Sequence, residues 1–239
     1  MDFNRIKERL RSVNPIFWFL LFFMIFQNIR NTGSFSTWMY NKIITLPGII
    51  IGVTFHEAAH AFASNRLGDP TPKQMGRLSL NPKYHIDPFG FLCLIIAGFG
   101  WGRPVEINPL YYKKRRRDEI IVASAGVITN FLIAFFVSLI VKFLYANMSQ
   151  TFYNGLGEII IDILVSVVAI NIILMLFNLI PVPPLDGFNI VTQAFSLQKY
   201  DWWYKVYRSG SLILMVMICF NITSSIITPL YLKIMSLLL

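Results

Sequence analysis

The sequence is short of charge and of cysteine. Only 14% of its 239 residues are charged and 55% are hydrophobic, whereas a soluble domain carries about 25% charged residues. This shortage argues against a soluble globule and predicts a membrane protein with several spans. Cys93 and Cys219 are the only cysteines, and both lie in apolar runs. Their placement excludes a disulfide framework and a cysteine zinc site, so we expect packed free thiols.

Acidic residues are also scarce, which leaves a net charge of +9 and raises the question of nucleic-acid binding. The basic residues fall in short loops between apolar runs, as the positive-inside rule describes for membrane proteins. A nucleic-acid-binding protein instead gathers its basic residues on one face. We therefore expect no nucleic-acid partner and predict that the chain sits in a lipid bilayer.

Six apolar runs predict an all-α polytopic membrane protein of the cell membrane, with about five to six transmembrane helices. They lie at 16–29, 38–64, 86–101, 119–146, 157–180 and 209–239. The first run follows a basic segment, as in a signal peptide, but no A-x-A-like cleavage site follows, which favours a retained span. The other loops are too short for a separate soluble domain. The last run is either one long span or a span plus an interfacial helix.

We divide the chain into three predicted regions. Residues 1–37 form a cytoplasmic tail and first span, 38–195 the functional core, and 196–239 the C-terminal span or spans. Basic residues put both flanks of run 86–101 on the cytoplasmic side, so this run cannot cross. Its length of about 16 residues and its glycines suit a small re-entrant or β-hairpin segment.

The second run contains the pattern HEAAH, with His56, Glu57 and His60. We expect its regular helix to begin near Pro47, a good first-turn residue, and to stop at Gly68. Residues four apart on a helix differ by about 40° in azimuth and about 6 Å in height, so both imidazoles can reach one ion. H-E-x-x-H on a helix is a known zinc-peptidase pattern in which the glutamate is the general base. Packed core histidines are the alternative, although an unpaired glutamate is costly inside a membrane.

A third ligand is needed, and Asp186 is the only acid in NLIPVPPLDGFNI, residues 178–190. Its prolines end the preceding helix, and exposed backbone at membrane depth is tolerated only beside protein or a cavity. The plain alternative is a helix-ending loop with an Asp-Gly turn. The predicted topology brings this loop and the end of the HEAAH helix to the same cytoplasmic side, where His56, His60 and Asp186 can complete a metal site.

With these two motifs, the chain resembles the site-2 protease family of intramembrane zinc metalloproteases, in a short form without PDZ or CBS domains. The resemblance covers about residues 48–195. It implies one Zn²⁺ per chain bound by His56, His60 and Asp186, with Glu57 as general base. It also implies a transmembrane protein as substrate, cleaved within the membrane to release a tethered regulator. Assembly as a homo-oligomer is left open.

Further segments carry the resemblance. Residues 75–90 are similar to family strands beside the active site, and SAGVITNF contains a glycine-x-x-x-asparagine element, Gly126 and Asn130, with Val127 where many members have proline. The family suggests that Asn130 contacts substrate or a developing oxyanion, and the alternative is an interhelical hydrogen bond. Asn178 has the same two readings, and there we favour a cap on helix carbonyls.

Two other functional classes use the same residues. A membrane metal transporter or sensor would need a polar path to the outer face, and the outer halves of the spans offer few polar residues beyond Asn171 and Asp162. An inactive scaffold that binds a partner helix would not need all four reactive residues, which are present here. The sequence therefore favours zinc-dependent proteolysis over both.

Overall fold

The computed structural model of the chain describes residues 22, 34–97, 100–147 and 155–239. The predicted first span at 16–29 lies outside the described residues apart from Phe22. Among the described residues the structure is largely helical. The helices are α1 (Phe35–Arg66), α2 (Thr71–Gln74), α3 (Pro82–His85), α4 (Pro88–Ala97), α5 (Arg115–Asn147), α6 (Leu156–Asn178), α7 (Asp186–Phe195), α8 (Asp201–Cys219) and α9 (Ile222–Leu238).

The described residues group into two compact units. One comprises the residues before Ile44 together with Pro88–Trp101, and the other comprises Ile44–Asp87 and Gly102–Leu239. All the predicted site residues belong to the second unit. In the first unit, α4 has ten residues and is therefore about 15 Å long, half the thickness of a bilayer's hydrocarbon core.

Three described helices, α1, α5 and α6, are long and apolar enough to cross a membrane. A fourth candidate is the pair α8 and α9, which meet at a 70° bend and form either a broken span or a re-entrant loop. Asn221 lies in the bend with a φ of 57°. The described part of the chain thus has three to four candidate spans.

Helix α1 begins earlier than the sequence suggested. The sequence predicts regular helix from near Pro47, but the helix starts at Phe35 and contains Pro47 in its interior. A proline removes one helical hydrogen bond, and membrane helices tolerate this loss where neighbouring structure satisfies the freed carbonyl. The other end agrees with the expectation: α1 ends at Arg66, and Gly68 follows with a φ of 109°.

Two glycines let α6 approach α1 closely. A Cβ added at Gly48 would lie 3.1 Å from the Ser166 carbonyl, and one added at Gly52 would lie 2.6 Å from the Leu174 side chain. Gly48, Gly52 and His56 are spaced four apart and share one face of α1. Small residues allow such close packing in membranes. The face that carries the histidines is therefore also the face on which α6 packs.

The proline-rich turn after α6 reverses the chain into α7. Helix α6 ends at Asn178, and α7 begins at Asp186, so this acid is the first residue of a helix rather than part of a loop. A Cβ added at Gly187 would lie 2.2 Å from the carbonyl oxygen of Leu179, so only glycine fits this close return. An acid at a helix N-terminus is favoured by the helix dipole.

The segment between α1 and α5 is held by buried polar side chains. Arg77 donates to the carbonyls of Tyr84 and Arg103, and the Arg103 amide donates to the His85 carbonyl at 2.7 Å. Among the described residues, the only β-type pairing is an isolated antiparallel bridge between Ile86 and Gly102. The hairpin expected in this region is therefore not confirmed.

Candidate metal site

Three side chains from two helices converge on one point. The Nε2 atoms of His56 and His60 are 3.1 Å apart. Asp186 Oδ2 lies 3.1 Å from the first Nε2 and 3.3 Å from the second. Within the described part of the chain this is the one cluster of histidine, cysteine and acidic side chains with metal-binding geometry. The structure thus brings together the three predicted ligands, although Asp186 is 126 residues beyond His60 in the sequence.

The outward ring nitrogen of each histidine is fixed by α5. His60 Nδ1 lies 2.8 Å from the carbonyl oxygen of Val122, which can only accept, so His60 carries its proton on Nδ1. His56 Nδ1 lies 2.6 Å from Asn130 Oδ1. Two helices therefore supply the converging atoms, and a third orients both imidazoles.

The hydrogen-bond direction at His56 follows from a chain of buried amides. Asn171 donates from Nδ2 to the Val167 carbonyl at 2.9 Å, which leaves its oxygen as the acceptor for Asn130 Nδ2 at 2.9 Å. Asn130 Nδ2 also donates to the carbonyl of Gly52 at 3.2 Å. The remaining Asn130 oxygen must then accept from His56, so His56 is protonated on Nδ1 as well.

The converging atoms are consequently all acceptors. Both Nε2 atoms present lone pairs towards a carboxylate oxygen, and Asp186 Oδ2 is buried without a hydrogen-bond partner. A buried arrangement of this kind is costly unless a cation sits among the three atoms. In a tetrahedral Zn²⁺ site with ligands at about 2.0–2.1 Å, neighbouring ligand atoms are about 3.3 Å apart. The observed spacings of 3.1–3.3 Å fit a zinc ion held by His56, His60 and Asp186.

Gly126 lies directly against both imidazoles. A Cβ added there would come within 2.6 Å of His56 Cε1 and within 2.6 Å of His60 Nε2. Val122, Gly126 and Asn130 are four residues apart and form one stripe along α5. Sequence reasoning found the glycine and the asparagine as a motif but missed Val122, because its contribution is a main-chain carbonyl. The only signal in the sequence is that Val122 lies four residues before Gly126 and therefore on the same face of α5.

Asn130 is fully buried, and both of its amide hydrogens are donated within the protein. It therefore makes the interhelical hydrogen bonds of the second reading. Contact with substrate stays a prediction. Asn178 donates to the Leu174 carbonyl of its own helix at 3.0 Å, the bond expected of a cap. Its proposed contact with substrate also stays a prediction.

Glu57 faces the segment that follows Gly102. Its Oε2 accepts a hydrogen bond from the Val105 amide at 3.2 Å, and a Cβ added at Gly102 would lie 3.4 Å from Oε1. The carboxylate therefore lies on a different side of α1 from the ligand atoms, as the offset of about 100° between neighbouring helix residues requires. This main-chain amide fixes one carboxylate oxygen.

Asp69 ties that segment to the end of α1. Its carboxylate accepts from the amides of Thr71 and Asn108 at 2.9 and 2.8 Å and from the Ser64 hydroxyl at 2.8 Å. Burial alone would raise the pKa of Asp69, but these hydrogen bonds outweigh it and lower the pKa. The ionised Asp69 thus anchors the strip of chain that contacts Glu57.

His85 is fully buried near this segment, and its Nε2 lies 2.6 Å from the Ser79 carbonyl oxygen. Because a carbonyl can only accept, His85 is the donor. Burial lowers the pKa of His85. The neutral imidazole therefore serves a hydrogen-bonded turn, and it is not part of the metal cluster found among the described residues.

A family model for peptidase family M50 matches residues 44–221, most of the chain and all of the site residues above. The chain belongs to peptidase family M50, the site-2 protease family. The expected resemblance is thus confirmed.

Relatives in this family carry zinc metalloprotease names. YwhC of Bacillus subtilis, assigned as a zinc metalloprotease, is 41% identical over 153 residues, which are 62% of this chain and 66% of that protein. Rip2 of Mycolicibacterium smegmatis, with the same assignment, is 27% identical over 153 residues, 62% of this chain and 55% of its own. The matched stretches cover less than two thirds of these relatives' length. No solved structure gives a significant match to the chain.

Proposed function

We propose that this chain is a zinc-dependent intramembrane endopeptidase that cleaves membrane-protein substrates. The single observation that carries the proposal is the convergence of three acceptor atoms, two imidazole Nε2 atoms and Asp186 Oδ2, at distances that suit zinc. Membership of a peptidase family and the names of the relatives support the reaction class.

In this proposal, His56, His60 and Asp186 hold one ion, and Glu57 is the general base. A zinc ion held there would supply a Lewis acid for the scissile carbonyl and for a water molecule at the site. Glu57 takes a proton from that water and passes it to the leaving amide nitrogen. The hydrogen bond from the Val105 amide to Glu57 Oε2 restrains the rotation of the glutamate side chain. Asn130 and the Val122 carbonyl hold the rings so that both Nε2 atoms stay available.

The proposed arrangement in the membrane extends the described helices. Adding the run at 16–29 to α1, α5, α6 and the α8–α9 pair gives five spans, or six if α8 and α9 cross separately. The N-terminus and the opening of the site face the cytoplasm, because the basic loops lie at that end. His60 is about 9 Å along the helix from Arg66, so the site lies within the bilayer near its cytoplasmic edge. Residues 38–195 form the catalytic core.

The substrate is a transmembrane segment that unwinds locally, because helical hydrogen bonds shield its carbonyl groups from attack. Cleavage of such a segment would release a membrane-tethered regulator. The position of the two histidines in α1, a helix apolar enough to cross a membrane, supports this substrate class.

The test separates zinc binding from proteolysis. Glu57→Gln keeps the size of the side chain and all three ligands, so we expect the purified chain to retain zinc but to lose cleavage. Fragments of membrane proteins would be compared between cells that express the wild type, Glu57→Gln, or the control Glu158→Gln, whose side chain is exposed at the start of α6. Cleavage products that persist with Glu57→Gln would remove Glu57 from the mechanism. Zinc uptake without any fragment difference would instead favour a metal transporter or sensor.

A further inference from the structure

One arginine of the basic block KKRRR, residues 113–117, contacts α7, the helix that carries the proposed ligand Asp186. Arg116 Nε donates to the carbonyl oxygen of Gln193 at 2.5 Å, and its Nη2 donates to the carbonyl of Ala194. These two carbonyls belong to the last turn of α7, where the helix supplies few partners; the Gln193 carbonyl also accepts from the Ser196 amide, at 3.4 Å. Arg116 therefore caps the C-terminal end of α7.

A second bond joins the same two helices. The buried side chain of Gln193 donates from Nε2 to Glu119 Oε2, and Arg115 pairs with the other oxygen of that carboxylate at 2.8 Å. We call Arg116, Glu119 and Gln193 the α7 clamp. Glu119 lies on the α5 face that continues through Val122, since the two residues are three apart.

The clamp acts at the opposite end of α7 from Asp186, the first residue of that ten-residue helix. The helix dipole favours both the acid at its N-terminus and the guanidinium at its C-terminus. Near Asp186, α7 is restrained by the close contact of Gly187 with Leu179. A helix held at both ends can neither swing nor turn about its axis. If the clamp were opened, this end of α7 would keep the bond from Trp203 to Thr192 at 3.1 Å but lose its hydrogen bonds to α5, and the Asp186 carboxylate would be less firmly placed.

The tolerance of a metal site makes this restraint matter. A side-chain oxygen about 5 Å from the helix axis moves roughly 1.7 Å when the helix turns by 20°. Ligand distances in metal sites are held within about 0.2 Å. A rotation of a few degrees in α7 would therefore already strain the bond between Asp186 and an ion held by the two histidines.

We infer that α5 is a common frame for all three ligands and that Arg116 is a positioning residue for Asp186. One face of α5 orients His60 through the Val122 carbonyl, orients His56 through Asn130 and fixes the ligand-bearing α7 through the clamp. No ligand lies on α5 itself. The inference rests on the proposed function, because it assigns Arg116 to the zinc site that the proposed function uses.

The experiment measures the zinc dissociation constant of the full-length chain in detergent by competition with a chelating dye. Arg116→Gln and Gln193→Leu each open the clamp, and we expect each to weaken zinc binding by about tenfold, the lower end of the range for residues that contact a metal ligand directly. Arg116→Lys keeps the charge but lacks the planar fork with which the guanidinium reaches both carbonyls, so it should also weaken binding. Lys113→Gln removes the same charge from the exposed start of the block, before α5, and should leave zinc affinity unchanged.

The outcomes separate this inference from its alternatives. Zinc affinity within twofold of the wild type in both Arg116→Gln and Gln193→Leu would overturn it. An equal loss in Lys113→Gln would also overturn it and assign the effect to the charge of the block. A thermal melt of each metal-free variant checks folding, and excess zinc should restore cleavage by Arg116→Gln but not by Glu57→Gln. A wild-type chain that binds no zinc would overturn the proposed function and this inference together.

Discussion

Asn130 Oδ1 lies 2.6 Å from Nδ1 of His56, 74 positions earlier in the chain. The bond sets which nitrogen of His56 carries the proton, and it leaves Nε2 as a lone pair towards His60 and Asp186. A buried asparagine inside a membrane helix thus controls the chemistry of a histidine on another helix.

Replacing Asn130 with leucine should weaken zinc binding by about 10–100-fold, the range found when outer contacts of metal ligands are removed. The change keeps the size of the side chain but removes the partner of the His56 Nδ1–H and the donor to Asn171 Oδ1. The measurement is the zinc dissociation constant in detergent. Ser138→Ala on the same helix is the control, since that buried hydroxyl bonds only to the Phe135 carbonyl of its own helix. Unchanged zinc affinity with lost cleavage would instead support contact of Asn130 with substrate.

Gly126→Ala should abolish zinc binding at concentrations that saturate the wild type. Alanine is favoured over glycine in a helix by about 1 kcal/mol, but its methyl group would lie 2.6 Å from both imidazoles and would force them apart. Metal content after dialysis, measured by elemental analysis, tests this expectation. Gly48→Ala makes the same substitution where the nearest atoms are 3.1–3.3 Å away on α6, so that variant should keep its zinc. A fully loaded Gly126→Ala chain would contradict the geometry.

Val105→Pro should slow cleavage by about tenfold without changing zinc content. Proline has no N–H, so the variant loses the bond that holds Glu57 Oε2, and a general base works only when it is well placed. The rate would be followed on a substrate found by the fragment comparison. Val105→Ala keeps the amide and should cleave normally. An equal loss of rate in Val105→Ala would show that the side chain matters rather than the amide.

The sequence predicted those parts of the fold and site that depend on side-chain type and spacing. The four-residue interval between His56 and His60 is enough to put both rings on one helix face, and their Nε2 atoms do lie 3.1 Å apart. The apolar runs predicted α1, α5 and α6 because a membrane span needs about 20 apolar residues. The start of α1 was missed because proline usually marks a first turn, whereas Pro47 lies inside the helix.

Two kinds of contact could not be predicted from the sequence: those made by main-chain atoms, and those made by basic side chains that could equally well face the membrane surface. Every residue has a carbonyl, so nothing in the letters distinguishes Val122 as the partner of His60. Arg116 lies in a basic block whose composition alone is explained by the membrane surface, yet its guanidinium bonds to α7. The β-hairpin expected after α2 depended on pairing partners far apart in the chain, and a single bridge between Ile86 and Gly102 is what the described residues form.

The bond from His60 to a peptide oxygen has a consequence for tolerance to mutation. The carbonyl oxygen at position 122 is present whichever side chain the residue has. Methionine, alanine or isoleucine at that position should therefore accept the hydrogen bond from His60 equally well, provided that the side chain fits the space. Four residues further along, not even one methyl group can be added. Positions 122 and 126, on neighbouring turns of α5, should thus differ greatly in the substitutions they tolerate, although both contact the His60 ring.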